Sequence, residues 1–428
     1  MLLTIMMVVL IVFSLIGMEI AWAIGFASIA YILLSGNVPL VQMAQGMTEG
    51  VDQFVLVGIP LFILAGELMN MAGVTQRLIA VAAAFVGHLH GGLANVGVWA
   101  NFIMSGISGS SLADAAATGT VLVPEMTKRG FPPAFSSAVI ASAATVGPII
   151  PPSIVFVLLG AIVDVSIGRL FIGGLMPGFI MSVSMFAVTW YICRKRDYPR
   201  EPKATFTQVR VAIWDGAAAL IAPVIIVGSI VGGIATPTEG AAVAVFYVLF
   251  LGVFVYRNIH WKQIVEAAGT TALASSVIML TVATSWIFAQ LAVLAQLGVI
   301  LTDAMKSISE EPWVLLLLFN ILMLILGMIM EIVPILLILA PIMFKLFVGF
   351  GYDPVHLGVM MVLNLMIGMI TPPIGLNLFV LSAISKVGVI EMFREAIPYF
   401  FVLLAVLGLI TYVPWVTLFL PDIIIPSR

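Results

Sequence analysis

Long apolar runs alternate with short polar breaks along the whole chain. Runs long enough to cross lipid fall near residues 2–16, 18–35, 52–72, 132–165 and 168–193, and again near 212–232, 238–256, 270–298, 354–385 and 396–420. A helix needs about 20 apolar residues to span a bilayer. The first run is short. It lacks the basic flank and small-residue cleavage site of a signal peptide, so it is expected to be a retained span. Residues 132–165 and 354–385 exceed one crossing, and each carries a double proline. They are predicted to be broken helices. Residues 92–128 and 312–350 break in the middle at small or polar residues. Their arms are about 25 Å of helix each. Each is predicted to be a hairpin that enters the membrane and returns to the same side.

Composition sharpens this picture. Hydrophobic residues make up 62% of the 428 and charged residues 9%. A soluble domain carries about a quarter charged residues to solvate its surface. A soluble enzyme, a disordered chain and a nucleic-acid binder are excluded, and a β-barrel would show weak alternation instead of long runs. The expected fold is an all-α polytopic membrane protein in the lipid bilayer. A single cysteine, Cys193, excludes a disulfide framework and a cysteine-based zinc site.

Residues 194–210 form the one polar linker. It holds Arg194, Lys195, Arg196, Arg200, Lys203 and Arg210. Short loops rich in Lys and Arg stay cytoplasmic. With this linker inside, counting spans outward puts both termini outside. Lys128, Arg129, Arg257, Lys262, Lys386, Arg394 and Arg77 then fall inside. Only Arg169, Lys306, Lys345 and Arg428 fall outside, a split of 13 to 4. The expected topology has a cytoplasmic linker and both termini on the opposite side of the membrane.

The linker also separates two related halves, 1–193 and 211–428. At an offset of 221 residues, Gly106 meets Gly327, Gly130 meets Gly351, Pro133 meets Pro354, Gly147 meets Gly368 and Ile149 meets Ile370. Pro151 and Pro152 meet Pro372 and Pro373. Six of these seven identities are Gly or Pro, the residues that dictate backbone shape. Five spans per half would invert one half relative to the other. Two inverted repeats of about five spans, each with one re-entrant hairpin, are a signature of secondary transporters.

Four segments carry candidate chemistry. Residues 105–120, SGISGSSLADAAATGT, form the tip of the first hairpin. A bend in lipid frees carbonyls on the entering arm and amides on the returning arm. Carbonyls and hydroxyls suit Na⁺, and amides suit a carboxylate. The same small residues also suit close helix packing. Ser111 and Asp114 fit a capping pattern for the returning arm, so Asp114 is expected to cap before it ligates. Residues 146–153, VGPIIPPS, and 367–377, IGMITPPIGLN, are the breaks. Each double proline removes two amide donors. Non-helical backbone at membrane depth is tolerated only where it lines a cavity or is buried in protein. Carbonyls near Gly147, Pro148, Gly368 and Met369 are freed, and Thr371 adds a side-chain oxygen. Ser153 and Asn377 follow the breaks as possible donors to a substrate. A simple proline kink is the alternative reading. Residues 327–334, GMIMEIVP, form the second tip, and Glu331 is a carboxylate at depth, either functional or protonated and structural. Residues 235–244 hold a capping box, Thr236 and Glu239 around Pro237, which is structural.

Other function classes fit less well. Gly106-Ile107-Ser108-Gly109 resembles a serine-protease motif, but a nucleophile needs a base within reach. His88, His90, His260 and His356 all fall in loops or at helix ends. No zinc spacing and no phosphate-binding P-loop occur. A passive channel needs no repeat-related polar tips.

Five stretches together resemble the large membrane subunit of tripartite ATP-independent periplasmic (TRAP) transporters over nearly the full length. They are GIPLFILAGELMNMAGVTQRL, SGSSLADAAATGT, GPIIPPSI, TPTEGAAVAV and GMITPPIGLNLFV, in that order. The resemblance implies an ion-transporter-like elevator fold and no enzymatic activity. It also implies a small four-helix membrane subunit and a periplasmic substrate-binding protein as partners. The cargo would be an organic anion such as a C4-dicarboxylate, keto acid or sialic acid. Na⁺ would be the coupling ion, with no cofactor and no other metal. A symporter that works without a binding protein is the nearest alternative. On this reading Gly106, Ser108, Ser110, Gly147 and Pro148 form one Na⁺ site. Gly327, Glu331, Gly368, Met369 and Thr371 form its repeat-related partner. Ser111, Asp114, Ser153 and Asn377 face the substrate.

Overall fold

The computed structural model describes residues 2–426, so the expectation for Arg428 lies outside the described residues. Twenty α-helices and no strand occur among them. The first half contains α1 (Leu2–Leu15), α2 (Ile20–Ser35), α3 (Val41–Val51), α4 (Gly58–Met71) and α5 (Val74–Val86). The hairpin arms α6 (Gly92–Ser108) and α7 (Ser111–Lys128) follow. Next come α8 (Pro133–Ala143), α9 (Ile154–Val163) and α10 (Ile167–Lys195). The second half contains α11 (Phe206–Val231), α12 (Pro237–Phe250), α13 (Trp261–Leu294) and α14 (Leu297–Lys306). Its hairpin arms are α15 (Pro312–Gly327) and α16 (Ile332–Val348). The broken helix is α17 (Pro354–Gly368) and α18 (Leu376–Ser385), followed by α19 (Val389–Tyr412) and α20 (Trp415–Ile424).

Helix–turn–helix pairs occupy 92–128 and 312–350, and the helical stretches 132–165 and 354–385 are each interrupted. Among the described residues, six segments are long and apolar enough to cross a membrane whole: Phe54–Met71, Ile167–Lys195, Phe206–Val231, Pro237–Val255, Trp261–Leu294 and Val389–Tyr412. The arms and half-helices are shorter. The element order α6 to α10 recurs as α15 to α19. Ser111 and Ile332 begin the returning arms 221 residues apart. Gly130 and Gly351 both take a positive φ, 90° and 88°, in the turn before a helix that begins with proline. Pro151–Pro152 and Pro372–Pro373 are both joined by cis peptide bonds.

Several boundaries differ from the apolar runs. The segment read as one span, 52–72, is preceded by α3, a helix with Gln42, Gln45, Thr48 and Glu49 that no apolar-run reading detects. The short helices α5 and α14 were also unmarked. Helix α5 buries Val74, Leu78, Val81 and Ala82, a single stripe with helical period. Its other face carries Gln76 and Arg77, which lowers its average below that of a span. Helix α13 begins at Trp261 rather than near 270, because His260 and Gln263 cap a polar first turn. The last run splits at Pro414 into α19 and α20. The capping box at Thr236 forms as read: Glu239 Oε2 accepts the Thr236 amide at 2.7 Å.

The helices pack as one continuous bundle. Helix α13 packs on α2, α3 and α4 and also on α16, while α12 packs on α4 and α11, and α11 on α5. Helix α5 packs in turn on α6, α8 packs on α7, α18 and α19, α17 on α15 and α16, and α10 on α19 and α20. Helices α8 and α17 are buried along their length. Every residue from Ala134 to Ala143 and from Val355 to Gly368 is buried. A helix apolar on all sides must sit inside protein or lipid, and these two sit inside protein.

Candidate functional site

The first hairpin turns at Gly109, which adopts φ 60°. A Cβ there would lie 2.5 Å from the Pro152 carbonyl oxygen, so the tip touches the break backbone to backbone. The next residue, Ser110, is extended at φ −132°, and its hydroxyl accepts the Ala113 amide at 3.4 Å. Ser110, not Ser111, is therefore the cap of α7. The Ser111–Asp114 capping expectation is corrected with it. Because the helix starts one residue earlier than the motif suggests, Asp114 points at the opposite arm. Its fully buried carboxylate accepts Ser108 Oγ–H at 2.6 Å and lies 3.4 Å from Ser105 Oγ. Ser105 makes its shorter bond, 2.7 Å, to the Asn101 carbonyl.

Gly147 completes this cluster. A Cβ on it would lie 3.0 Å from Asp114 Oδ2 and from the Ser111 amide nitrogen. The missing side chain lets the broken helix close on the tip. Gly106 faces Pro223 of α11. Ser153 caps α9: its Oγ accepts the Phe156 amide at 3.1 Å and donates to the Pro148 carbonyl at 2.5 Å. Its hydroxyl is committed inside the break.

The second half repeats the contact with different side chains. A Cβ on Gly368 would lie 2.5 Å from the Gly327 carbonyl. The Ile374 amide donates to the Met328 carbonyl at 3.2 Å, tying break to tip. Thr371 Oγ donates to the Ile367 carbonyl at 2.7 Å, which leaves its lone pairs free. Glu331 occupies the cap position of α16 without making a capping bond. Asn377 crosses between the halves. Its amide donates to Ser111 Oγ at 2.7 Å and to the Ala141 carbonyl at 3.0 Å, while its buried Oδ1 has no hydrogen-bond partner in the protein.

Two adjoining cavities meet at the tips. The smaller, about 130 Å³, is lined by Ser110, Ser111, Pro148, Glu331 and Met369, with Val277, Ile278 and Thr281 of α13. The larger, about 390 Å³, is lined by Ser108, Ser110, Asp114 and Glu331, with Glu67, Asn70 and Thr75 from α4 and α5. Ser108, Ser110, Ser111, Pro148, Asp114, Glu331 and Met369 thus come together around open space. Gly106, Gly147, Gly327, Gly368, Thr371, Ser153 and Asn377 stand behind them and set the backbone. Glu67, Asn70 and the α13 wall escaped the sequence reading. They lie on helices with no Gly or Pro break, the signal that marked the other positions.

Ser108 has a carboxylate as its partner and no histidine. His88 and His90 lie in the turn after α5, His260 is the cap residue before α13, and His356 bonds to Thr417 at 3.0 Å. Among the described residues no group of three His, Cys, Asp or Glu could hold a metal ion. The serine-nucleophile reading therefore has no histidine base.

Comparison with known proteins agrees with the architecture. The family model for the DctM component of tripartite ATP-independent periplasmic transporters matches residues 7–416. The chain is 36% identical over 407 residues to the sialic acid TRAP transporter large permease of Vibrio cholerae serotype O1, covering 95% of each. It is 36% identical to the C4-dicarboxylate large permease of Rhodobacter capsulatus, covering 97% of this chain and 98% of that one. With the 2,3-diketo-L-gulonate large permease of Escherichia coli K12 it shares 37% identity, over 93% and 94%. The fold is shared with the YdaH transporter of Alcanivorax borkumensis, at 16% identity and a TM-score of 0.60 over 87% of each chain. It is shared also with MtrF of Neisseria gonorrhoeae, at 15% identity and 0.61, over 87% and 84%. The chain is a multi-pass membrane transporter subunit, not an enzyme, and it belongs to the DctM family of tripartite ATP-independent periplasmic transporters.

Proposed function

We propose that this chain is the large permease of a TRAP system that imports an organic anion across the bacterial inner membrane by Na⁺ symport. A periplasmic binding protein delivers the anion, and a small four-helix membrane subunit completes the transporter. The observation that carries this reading is the convergence of both hairpin tips on the paired cavities. The N-terminal ends of α7 and α16 open there, and helix N-termini favour negative charge. Asp114, Ser108 and the break at Gly147 supply oxygen ligands for one Na⁺. Glu331, Thr371 and the carbonyls near Gly327, Gly368 and Met369 supply them for a second.

In an elevator, α6–α10 with α15–α20, which carry the tips, would move against α1–α5 with α11–α14. The recurrence of element order, read with the basic-residue split of 13 to 4, supports inverted repeats and periplasmic termini.

The test is uptake into proteoliposomes holding the two membrane subunits and the binding protein. Uptake should require an inward Na⁺ gradient. Asp114→Asn keeps the shape and removes one charge from the ion site. With that charge gone, apparent Na⁺ affinity should fall at least about tenfold, the equivalent of ~1.4 kcal/mol. Uptake that ignores the Na⁺ gradient would refute coupling. Wild-type Na⁺ dependence in Asp114→Asn would remove Asp114 from the ion site.

A further inference from the structure

We infer that a slot between α13, α14 and α16 holds one zwitterionic phospholipid whose headgroup carries a primary ammonium, as in phosphatidylethanolamine. The slot stands apart from the tip cavities, and the inference does not depend on the anion or Na⁺ readings.

The slot encloses about 580 Å³, within the about 300–1,000 Å³ usual for sites that hold a small molecule. Ala289 and Ala292 of α13, Val299 of α14, and Ile338, Pro341 and Ile342 of α16 form its walls. A Cβ on Gly298 would lie 3.4 Å from Ile342, so α14 and α16 touch and close one edge. Leu337, which is buried, marks the deep end, and Lys345, in the last turn of α16, marks the rim. Between them runs about 12 Å of helix, room for a stretch of acyl chain. Helix α14 buries only Leu297 and Met305 in protein. Its Val299 and Ile300 are exposed, which suits a helix that rests partly on lipid.

Apolar area does not choose the occupant. Lipid tails are as apolar as the walls, so moving a tail from bilayer to slot gains little. The rim makes the choice. Lys345 and Asp303 both stand there, exposed. Among the described residues neither has an ion-pair partner within 4.0 Å, and they do not pair with each other. One free cation and one free anion at the mouth of an apolar slot match a zwitterionic headgroup. The Lys345 ammonium donates to the phosphate, and the lipid's ammonium donates to Asp303; such charge-assisted bonds are the strong ones. Phosphatidylglycerol satisfies Lys345 alone and brings its net negative charge beside Asp303. Phosphatidylcholine has a quaternary ammonium with no hydrogen to donate. Held at both charges, the lipid fastens α14 to the arm whose other end, at Glu331, forms the second tip.

The experiment strips lipid from the purified full-length chain in mild detergent. It then titrates phosphatidylethanolamine, phosphatidylglycerol and phosphatidylcholine of matched chains, counting bound lipid by native mass spectrometry. One phosphatidylethanolamine should bind in preference to the other two. Lys345→Gln and Asp303→Asn should each weaken it about threefold, the size expected of an ion pair open to water. Asp303→Asn should also bring phosphatidylglycerol level with it. Ala289→Phe, which fills the deep end, should abolish the bound lipid; the two charge variants, altered only at exposed positions, keep the test valid if that protein does not fold. Equal binding of all three lipids would overturn the proposal, as would wild-type phosphatidylethanolamine affinity in both charge variants. Displacement of the lipid by the small membrane subunit would assign the slot to a protein partner and overturn it too.

Discussion

Gly368→Ala tests whether close backbone contact between break and hairpin tip is what builds the second half of the site. The added Cβ would sit 2.5 Å from both carbonyl atoms of Gly327 and 2.8 Å from its Cα. Ordinary contact begins near 3.4 Å, so the backbones must separate by ~0.9 Å. No flexible side chain is present to rotate away. The Ile374–Met328 bond, already 3.2 Å long, lies beside the contact and would stretch with it. Overpacking of this kind costs about 1–3 kcal/mol. The functional loss should be larger, because a misplacement of about 1 Å in positioning groups can cost ~100-fold. Initial uptake rates across a Na⁺ titration would read this, beside thermal unfolding of the purified protein. Gly147→Ala should give a milder defect, since its closest contacts are 3.0 Å. Gly408→Ala, with nothing within 4 Å of the added carbon, should leave transport intact and gain up to about 1 kcal/mol of helix stability. Wild-type rate and Na⁺ dependence in Gly368→Ala would refute the reasoning, as would a Gly408→Ala defect equal to it.

Two further outcomes follow from the ends of the bundle. His90 contacts Arg200 of the polar linker, beside the Arg129–Glu201 pair and the bond from the Glu201 amide to the Gly87 carbonyl. Partial desolvation, then the guanidinium groups of Arg200 and Arg194, hold its pKa below the usual value, with Asp197 opposing. The unfolded chain thus binds the proton more readily. The contact's contribution is complete above the ordinary histidine pKa of about 6.5 and is lost as pH falls through the lowered value. Protection factors for amide exchange in residues 194–205, with the pH dependence of intrinsic exchange divided out, should fall on acidification in the wild type and not in His90→Gln; factors that hold or rise at low pH in the wild type would contradict this. Arg169 bonds to Asp422 at 2.7 Å and lies 3.8 Å from Asp353, fastening α20 to the start of α17. Asp422 is half exposed, so screening limits the pair to about 1 kcal/mol. Arg169→Leu should speed exchange in α20 about fivefold, and unchanged protection there would show that packing alone holds the helix.

The breaks and tips were readable because glycine and proline act locally. Pro151–Pro152 and Pro372–Pro373 interrupt a helix wherever they occur, and Thr236 with Glu239 caps one by short-range bonds alone. The amphipathic helices α3, α5 and α14 were not readable from apolar runs, since half of each faces away from the core. The choice between Ser110 and Ser111 as cap was equally hidden. Both are serines before the same helix, and only the extended backbone at Ser110 separates them.

Sequence alone determined that this chain is a helical membrane protein, where its helices break, and which family its motifs resemble. These follow from hydrophobic burial and from backbone propensities that act within a few residues. The tertiary structure decided which polar groups share a site. It buried Asp114 against Ser108 and Gly147 and opened Glu331 to the cavity. It joined Asn377 to Ser111 across 266 positions and brought Glu67 and Val277 to the same space. Such contacts arise from packing between distant helices, and no local pattern encodes them.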